Sequence, residues 1–149
     1  MSSGRFASAG EFRLSLERFK SLTKDQFVLA HKAVTLDAQS ALQLGNPVRT
    51  GRSRSGWVAS AGSPSSWLPP DLWDGTEAGL ERAKVAYAAI AANTSAQAQL
   101  LRIEFGGASF VVSNVEYIGH VNDRHPRRAG FVEAALENVT TKYQLGGAP

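Results

Sequence analysis

Cysteine is absent from all 149 residues. Disulfides, thiolate nucleophiles and cysteine-bound zinc are excluded at once, and the lack fits a reducing cytoplasm. Long apolar runs are lacking too. The stretch from Ala83 to Ala92 contains Lys84 and falls well short of the roughly 20 residues that a bilayer-spanning helix needs, so no membrane span is expected. The first basic residues have no apolar stretch behind them, and no secretory signal is expected. No Gly-Lys-Ser/Thr occurs, which removes the Walker phosphate loop. No internal repeat is visible.

What is present is ordinary in amount and uneven in placement. The length suits one domain, and a chain of this size buries roughly 70% of its unfolded surface, enough for an unaided core. Apolar residues make up 43% and charged residues 19%, within the globular range. The net charge of +3 is lopsided. Up to Arg54 there are nine Lys/Arg against four Asp/Glu; from Ser55 onward there are seven against nine. A basic first third suits an acidic partner surface or nucleic acid, or simply a solvated arm and helix face.

Residues 1–22 read as an arm, rich in Ser, Gly and Arg, in which Phe12, Leu14, Leu16 and Phe19 follow a mixed spacing. Such a segment orders by contact with something else. A single α+β domain is expected over 23–145, with 146–149 as a tail. Thr23 and Gln26 form a capping box. Phe27, His31, Val34, Ala38, Ala41 and Leu44 then recur at helical spacing. Gly45 and Pro47 should stop this helix, which at about 1.5 Å per residue is on the order of 30 Å long. A turn and a strand around Gly56–Ser60 follow, with Trp57 in the core.

Residues 61–76 hold three prolines, two tryptophans and two glycines. A structureless connection of this length usually has a job. Asp74 with Glu77 offers a second capping box, and Leu80, Ala83, Tyr87 and Ile90 line a helix to about Asn93. Leu100–Ser113 predicts a hairpin turning at Gly106-Gly107, with Phe105 opposite Ala108, Ile103 opposite Phe110 and Leu101 opposite Val112. A last helix follows Arg128, with Phe131, Ala135, Leu136, Val139 and Tyr143 on one stripe. The expected fold is α+β: a small antiparallel sheet with the long N-terminal helix and the C-terminal helix packed on one face, an extended arm and a long middle loop.

Three clusters are candidates for chemistry or binding. His120, Asp123 and His125 could contribute to a metal site or supply a general base. Arg124, Arg127 and Arg128 around them would repel a cation, and no nucleophile stands beside them. Neither a metal nor a cofactor is expected, and no catalytic residue is assigned. Arg49, Arg52 and Arg54, interleaved with hydroxyls, could face phosphates or an acidic partner together with Arg124, Arg127 and Arg128. Trp67, Leu68, Leu72 and Trp73 in the loop, with Phe12 and Phe19 in the arm, are candidates for anchoring in a neighbouring subunit, since interface hot spots favour Trp. The tryptophans could equally fold back over their own sheet.

The order of these features resembles a known family. A long helix is followed by Pro47-Val48-Arg49-Thr50-Gly51-Arg52-Ser53-Arg54-Ser55-Gly56-Trp57. A long loop comes next, then Ser113-Asn114-Val115-Glu116-Tyr117-Ile118-Gly119-His120-Val121, and Gly130-Phe131-Val132 opens the final helix. This is similar to the tail-completion (neck, minor tail) proteins of tailed bacteriophages. In that family a Pro/Val-x-Thr-Gly-x-Leu-x-x-Ser start, an Asn-x-x-Tyr-Ala-x-Tyr-Val-Glu segment and a Pro-x-x-Phe helix start recur. The likeness spans about residues 22–143. Arg54 stands where leucine is common, His120 replaces the second aromatic, and Asn122 replaces the usual glutamate.

The resemblance implies a non-enzymatic virion protein, made in the host cytoplasm. It implies a homo-oligomeric ring, six-fold by expectation, at the head–tail junction beside head-closure, tail-terminator and tail-tube proteins. Contact with DNA in the lumen would be non-specific. A tail terminator or another connector ring is the nearest alternative, a basic nucleic-acid-binding module the next, and a small hydrolase using His120, Asp123 and His125 the last.

Overall fold

A computed structural model describes residues 23–143. Five helices and two strands follow in the order α1 (Lys24–Gly45), α2 (Arg52–Ser55), β1 (Trp57–Ala61), α3 (Glu77–Ala98), β2 (Ser109–Ser113), α4 (Ile118–Arg124) and α5 (Phe131–Tyr143). The fold is α+β, with the long first helix and the last helix in place.

Helix α1 begins with the expected reciprocal cap: Gln26 N donates to Thr23 Oγ1 and Thr23 N to Gln26 Oε1. Its end differs from expectation. Gly45 is the last helical residue, and Asn46 is the C-cap in an extended conformation. Pro47 disfavours the helical region for the residue before it, which accounts for the exit at Asn46. The Asn46 side chain, fully buried, donates to Ser53 Oγ at 2.7 Å and accepts from Trp57 Nε1 at 2.9 Å. One amide thus locks the helix end, the short α2 and the start of β1 together.

The sheet has two antiparallel strands, β1 beside β2, with Trp57 opposite Ser113, Ala59 opposite Val111 and Ala61 opposite Ser109. The expected local hairpin is not formed. Helix α3 winds down through successive turns, with Leu100 N donating to Gln97 O and Leu101 N to Ala98 O. These amides are consumed where the first hairpin strand was expected. Gly106 does take a left-handed conformation in a turn closed by Gly107 N to Glu104 O. That turn leads into β2 rather than between two paired strands.

A lone two-stranded ribbon is marginal in water. Here α1 and α5 cover one face. Trp57, Leu42, Phe131 and Ala135 form one buried cluster, with Val111, Ile118 and Val121 packed on it. Val34 and Val139 form a second, flanked by Ala38, Ala41 and Tyr143. The Trp57 and Phe131 rings meet edge to face at 6.3 Å, a favoured aromatic geometry. Helix α3 lies against α2 and β1 and reaches α1. There Gln43 Nε2 donates to Thr94 Oγ1 and Ser95 Oγ donates to Gln43 Oε1. The N-cap of α3 is Thr76, not Asp74. Asp74 instead accepts from the amide and hydroxyl of Thr76, an Asx-type turn that sets the cap in position. The helix runs five residues past the expected end at Asn93, to Ala98.

Candidate interaction surface

Two glycines bring the chain close enough to build the region around α2. Gly51 caps α2 in a left-handed conformation, and a Cβ there would sit 3.1 Å from Tyr87 Cβ. Gly56 lies against the segment after β2: a Cβ there would fall 2.7 Å from Val115 Cγ2. These approaches place Arg52, Tyr87 and the Asn114–Tyr117 segment around the middle loop.

That loop, 61–76, has no regular structure of its own, yet its backbone is tied down along its length. Gly62 N donates to Ala108 O at one end of the sheet. Asn114 Nδ2 at the other end donates to Ser65 O at 2.8 Å and to Trp67 O at 3.0 Å. Arg52 Nε donates to Pro69 O, and Pro69 is fully buried. Tyr87, 1% exposed, donates its hydroxyl to Pro70 O and accepts from Leu72 N. Trp73 Nε1 donates to Thr76 O, and the Arg49 guanidinium lies over the Trp73 ring at 4.7 Å.

With the backbone held, the side chains between the ties project outward. Trp67, Leu68 and Leu72 are 38%, 42% and 46% exposed, and Tyr117, near Arg52, is 38% exposed. The loop tryptophans therefore part ways: Trp73 folds back onto its own domain and Trp67 does not.

The six arginines expected to face phosphates or an acidic partner are not one patch. Arg52 is largely buried, bonded to Glu116 at 3.0 Å and placed near the Tyr117 ring. Burial opposes its charge, but Glu116 and then Tyr117 together outweigh that and hold the guanidinium above its ordinary value. Glu116 is pulled below the usual carboxylate range, by its own backbone amide first and by Arg52 second. Arg49 is committed to Trp73. Arg54 and Arg128 converge on the C-terminal carbonyls of α1. Arg54 Nη2 donates to Asn46 O and more weakly to Leu44 O; Arg128 Nη1 donates to Gly45 O and Leu44 O. Cations at a helix C-terminus answer its unpaired carbonyls and partial negative charge. Arg124 and Arg127 are exposed, with no side-chain partner among the described residues.

His120 and Asp123 are exposed on α4. His125 Nδ1 accepts from the amides of Arg127 and Arg128, so its lone pair shapes the turn. Among the described residues no group of three His, Asp or Glu could hold a metal ion, and no helix is long and apolar enough to cross a membrane. His31, on the repeating face of α1, is half-buried, with Nε2 2.9 Å from Ser109 Oγ. Phe12 and Phe19, the other anchoring candidates, lie outside the described residues.

Sequence reasoning missed the residues that fix the loop: Asn114, Tyr87, Arg52 as a tie, and Asn46. Arg52 and Asn114 stood in segments singled out in the sequence and Tyr87 on a helix face, but none of the four carried a signal for the carbonyl or hydroxyl it would meet. Asn122 has a visible task. Its side chain accepts from Val132 N and donates to Glu133, joining α4 to the start of α5. No family model matches the chain, and neither the curated proteins nor the solved structures contain a significant match.

Proposed function

We propose that this chain is a structural virion protein of a tailed phage, assembling as a homo-oligomeric ring at the head–tail junction as a tail-completion or neck component. The observation that carries the reading is the loop 61–76: a backbone fixed by its own domain that holds Trp67, Leu68 and Leu72 outward together. Exposed apolar side chains on a preordered backbone bind with little further loss of chain entropy. The order of motifs from the first helix to Gly130-Phe131-Val132 supports the same reading. In it the protein turns over no substrate and needs no cofactor. Its neighbours are head-closure, tail-terminator and tail-tube proteins, and its place is the virion.

A tail terminator remains the nearest relative in role. The nucleic-acid module draws less support, because Arg49, Arg52, Arg54 and Arg128 are engaged within the chain. Light scattering on the purified protein over a wide concentration range, with electron microscopy of the oligomer, tests the proposal. A discrete ring is expected. A monomer at every concentration, with phage lacking the gene still joining tails to heads, would overturn it.

A further inference from the structure

Two surfaces of unlike chemistry stand on either side of α2. Arg52 and Arg54 are two positions apart, about 200° around a helix, and they point to different neighbourhoods. Arg52 reaches the loop and Glu116; Arg54 reaches the end of α1 and Arg128. The loop side carries Trp67, Leu68 and Leu72 exposed. Its acidic residues are Asp71, Asp74, Glu77 and Glu81; Glu81 is paired with Lys84 and Arg82 acts on Asp74, which leaves Asp71 and Glu77 as the carboxylates with no basic partner among the described residues. Arg49 is exposed at its edge over the Trp73 ring, and Arg52 lies beneath it, bonded to Glu116.

The other side is the corner where α1 ends. Leu44 and Val48 are exposed there, 68% and 45%. Arg54 and Arg128 share the Leu44 carbonyl, and Arg54 Nε is buried with no partner. Arg124 and Arg127 extend the same turn outward. Like charges held side by side gain from an incoming carboxylate. One face thus offers apolar side chains with carboxylates, and the other apolar side chains with guanidinium groups.

We propose that the loop face of one copy (Trp67, Leu68, Asp71, Leu72, with Glu77 at its edge) docks on the arginine corner (Leu44, Arg124, Arg127) of a second copy. Because the faces differ, the contact is head to tail, the kind that closes into a ring or runs on as a filament. The proposal rests on the self-assembly put forward above and adds which surfaces meet. Opposite charges across the contact set register and speed encounter, while apolar side chains at its centre supply most of the affinity.

Charge swapping tests this with variants at exposed positions. Arg124→Glu/Arg127→Glu spares Arg128 and its bonds to α1. Asp71→Lys/Glu77→Lys spares the Asp74–Thr76 turn. Each double variant, checked for wild-type circular dichroism, is followed by sedimentation velocity. Each alone is expected to associate about a hundredfold more weakly, since like charges facing across an interface cost several kcal/mol. An equimolar mixture, which restores opposite charges at every contact, is expected to recover the wild-type oligomer. If the wild type assembles and both variants assemble equally well, or if the mixture does not recover, this docking mode is wrong while the ring reading stands. A wild type that stays monomeric takes down both.

Discussion

Around Trp57 the chain is held by apolar burial, whereas between residues 61 and 76 it is held by hydrogen bonds to its own main chain. In the first region α1, α5 and β1 share Leu42, Trp57, Phe131 and Ala135, all buried. In the second, Asn114, Arg52 and Tyr87 each grip loop carbonyls, while the loop's own large apolar side chains face out. A connection that buried Trp67, Leu68 and Leu72 would strengthen its own domain and leave nothing to offer a neighbour. Polar ties on the main chain free those side chains without freeing the backbone. The two regions should therefore respond differently to similar insults.

Trp57→Ala breaks the apolar side. It removes the indole from the buried cluster and strands the Asn46 side-chain oxygen Oδ1 that accepts from Nε1. A loss of about 3–5 kcal/mol is expected, read as a lower urea midpoint of the cooperative transition. A loss under about 1 kcal/mol, the size typical of a surface change, would mean that the core lies elsewhere.

Tyr87→Phe breaks the polar side. It keeps the Cβ beside Gly51 and the buried ring but deletes the hydroxyl that serves both Pro70 O and Leu72 N. The expected global loss is about 1 kcal/mol. The larger signal should be local: faster amide exchange at Leu72 and new protease cleavage between residues 67 and 73, with the rest of the chain protected. Equal acceleration across α1 would erase the distinction between the regions.

The apolar region was far more legible in the sequence than the polar one. Helix spacing and the Thr23–Gln26 box announce α1, and Phe131, Ala135 and Val139 announce α5, because a buried face repeats with the helix period. The sheet was not legible. Phe110, Val111 and Val112, an aromatic and two β-branched residues in a row, show that 109–113 is a strand, but such a run does not name the partner. The adjacent Gly-Gly turn pointed to Leu101–Phe105, while the real partner lies about fifty residues upstream, at Trp57–Ala61. The loop ties were not legible either. Asn114 and Tyr87 act on carbonyls 17 to 49 residues away, and a carbonyl carries no sequence signature. Of the six arginines in the basic clusters, composition shows the charge but not that four of them serve the fold.

His31 sharpens the comparison from within the helix α1. Its Nε2 meets Ser109 Oγ, which also meets Thr35 Oγ1, a polar link from α1 to the start of β2. Burial pushes the imidazole below its usual value. With the folded pKa depressed, the associated stability is complete above the unfolded pKa of about 6.5. It is lost as pH falls through the folded value. Denaturation midpoints should decline from pH 7 toward pH 5, and His31→Gln should flatten that decline. An unchanged slope in the variant would assign the titration to another group.

Asp37 supplies the smallest effect and the most direct counterpart to Tyr87. On α1 its Oδ2 accepts from Lys142 Nζ at 2.7 Å and from the Tyr143 hydroxyl, tying the helix to the end of α5. Both regions thus contain a tyrosine hydroxyl joined to a distant segment, but here Val34, Val139 and Ala38 already hold the two helices together. The Lys142 bond first, and the Tyr143 bond second, keep the Asp37 carboxyl below the usual range. A depressed carboxylate contributes stability above its unfolded pKa and loses it as pH falls through the folded one, so this contribution fades only in acid, below the range in which His31 acts. Asp37→Asn should remove that acid limb and lower the neutral-pH midpoint by less than Tyr87→Phe does, since water screens a pair this exposed. Amide exchange in α5 should stay slow. Fraying of α5 from Val139 to Tyr143 in that variant would show that a polar tie, not the apolar seam, holds this end, and the contrast between the two regions would not extend past Val139.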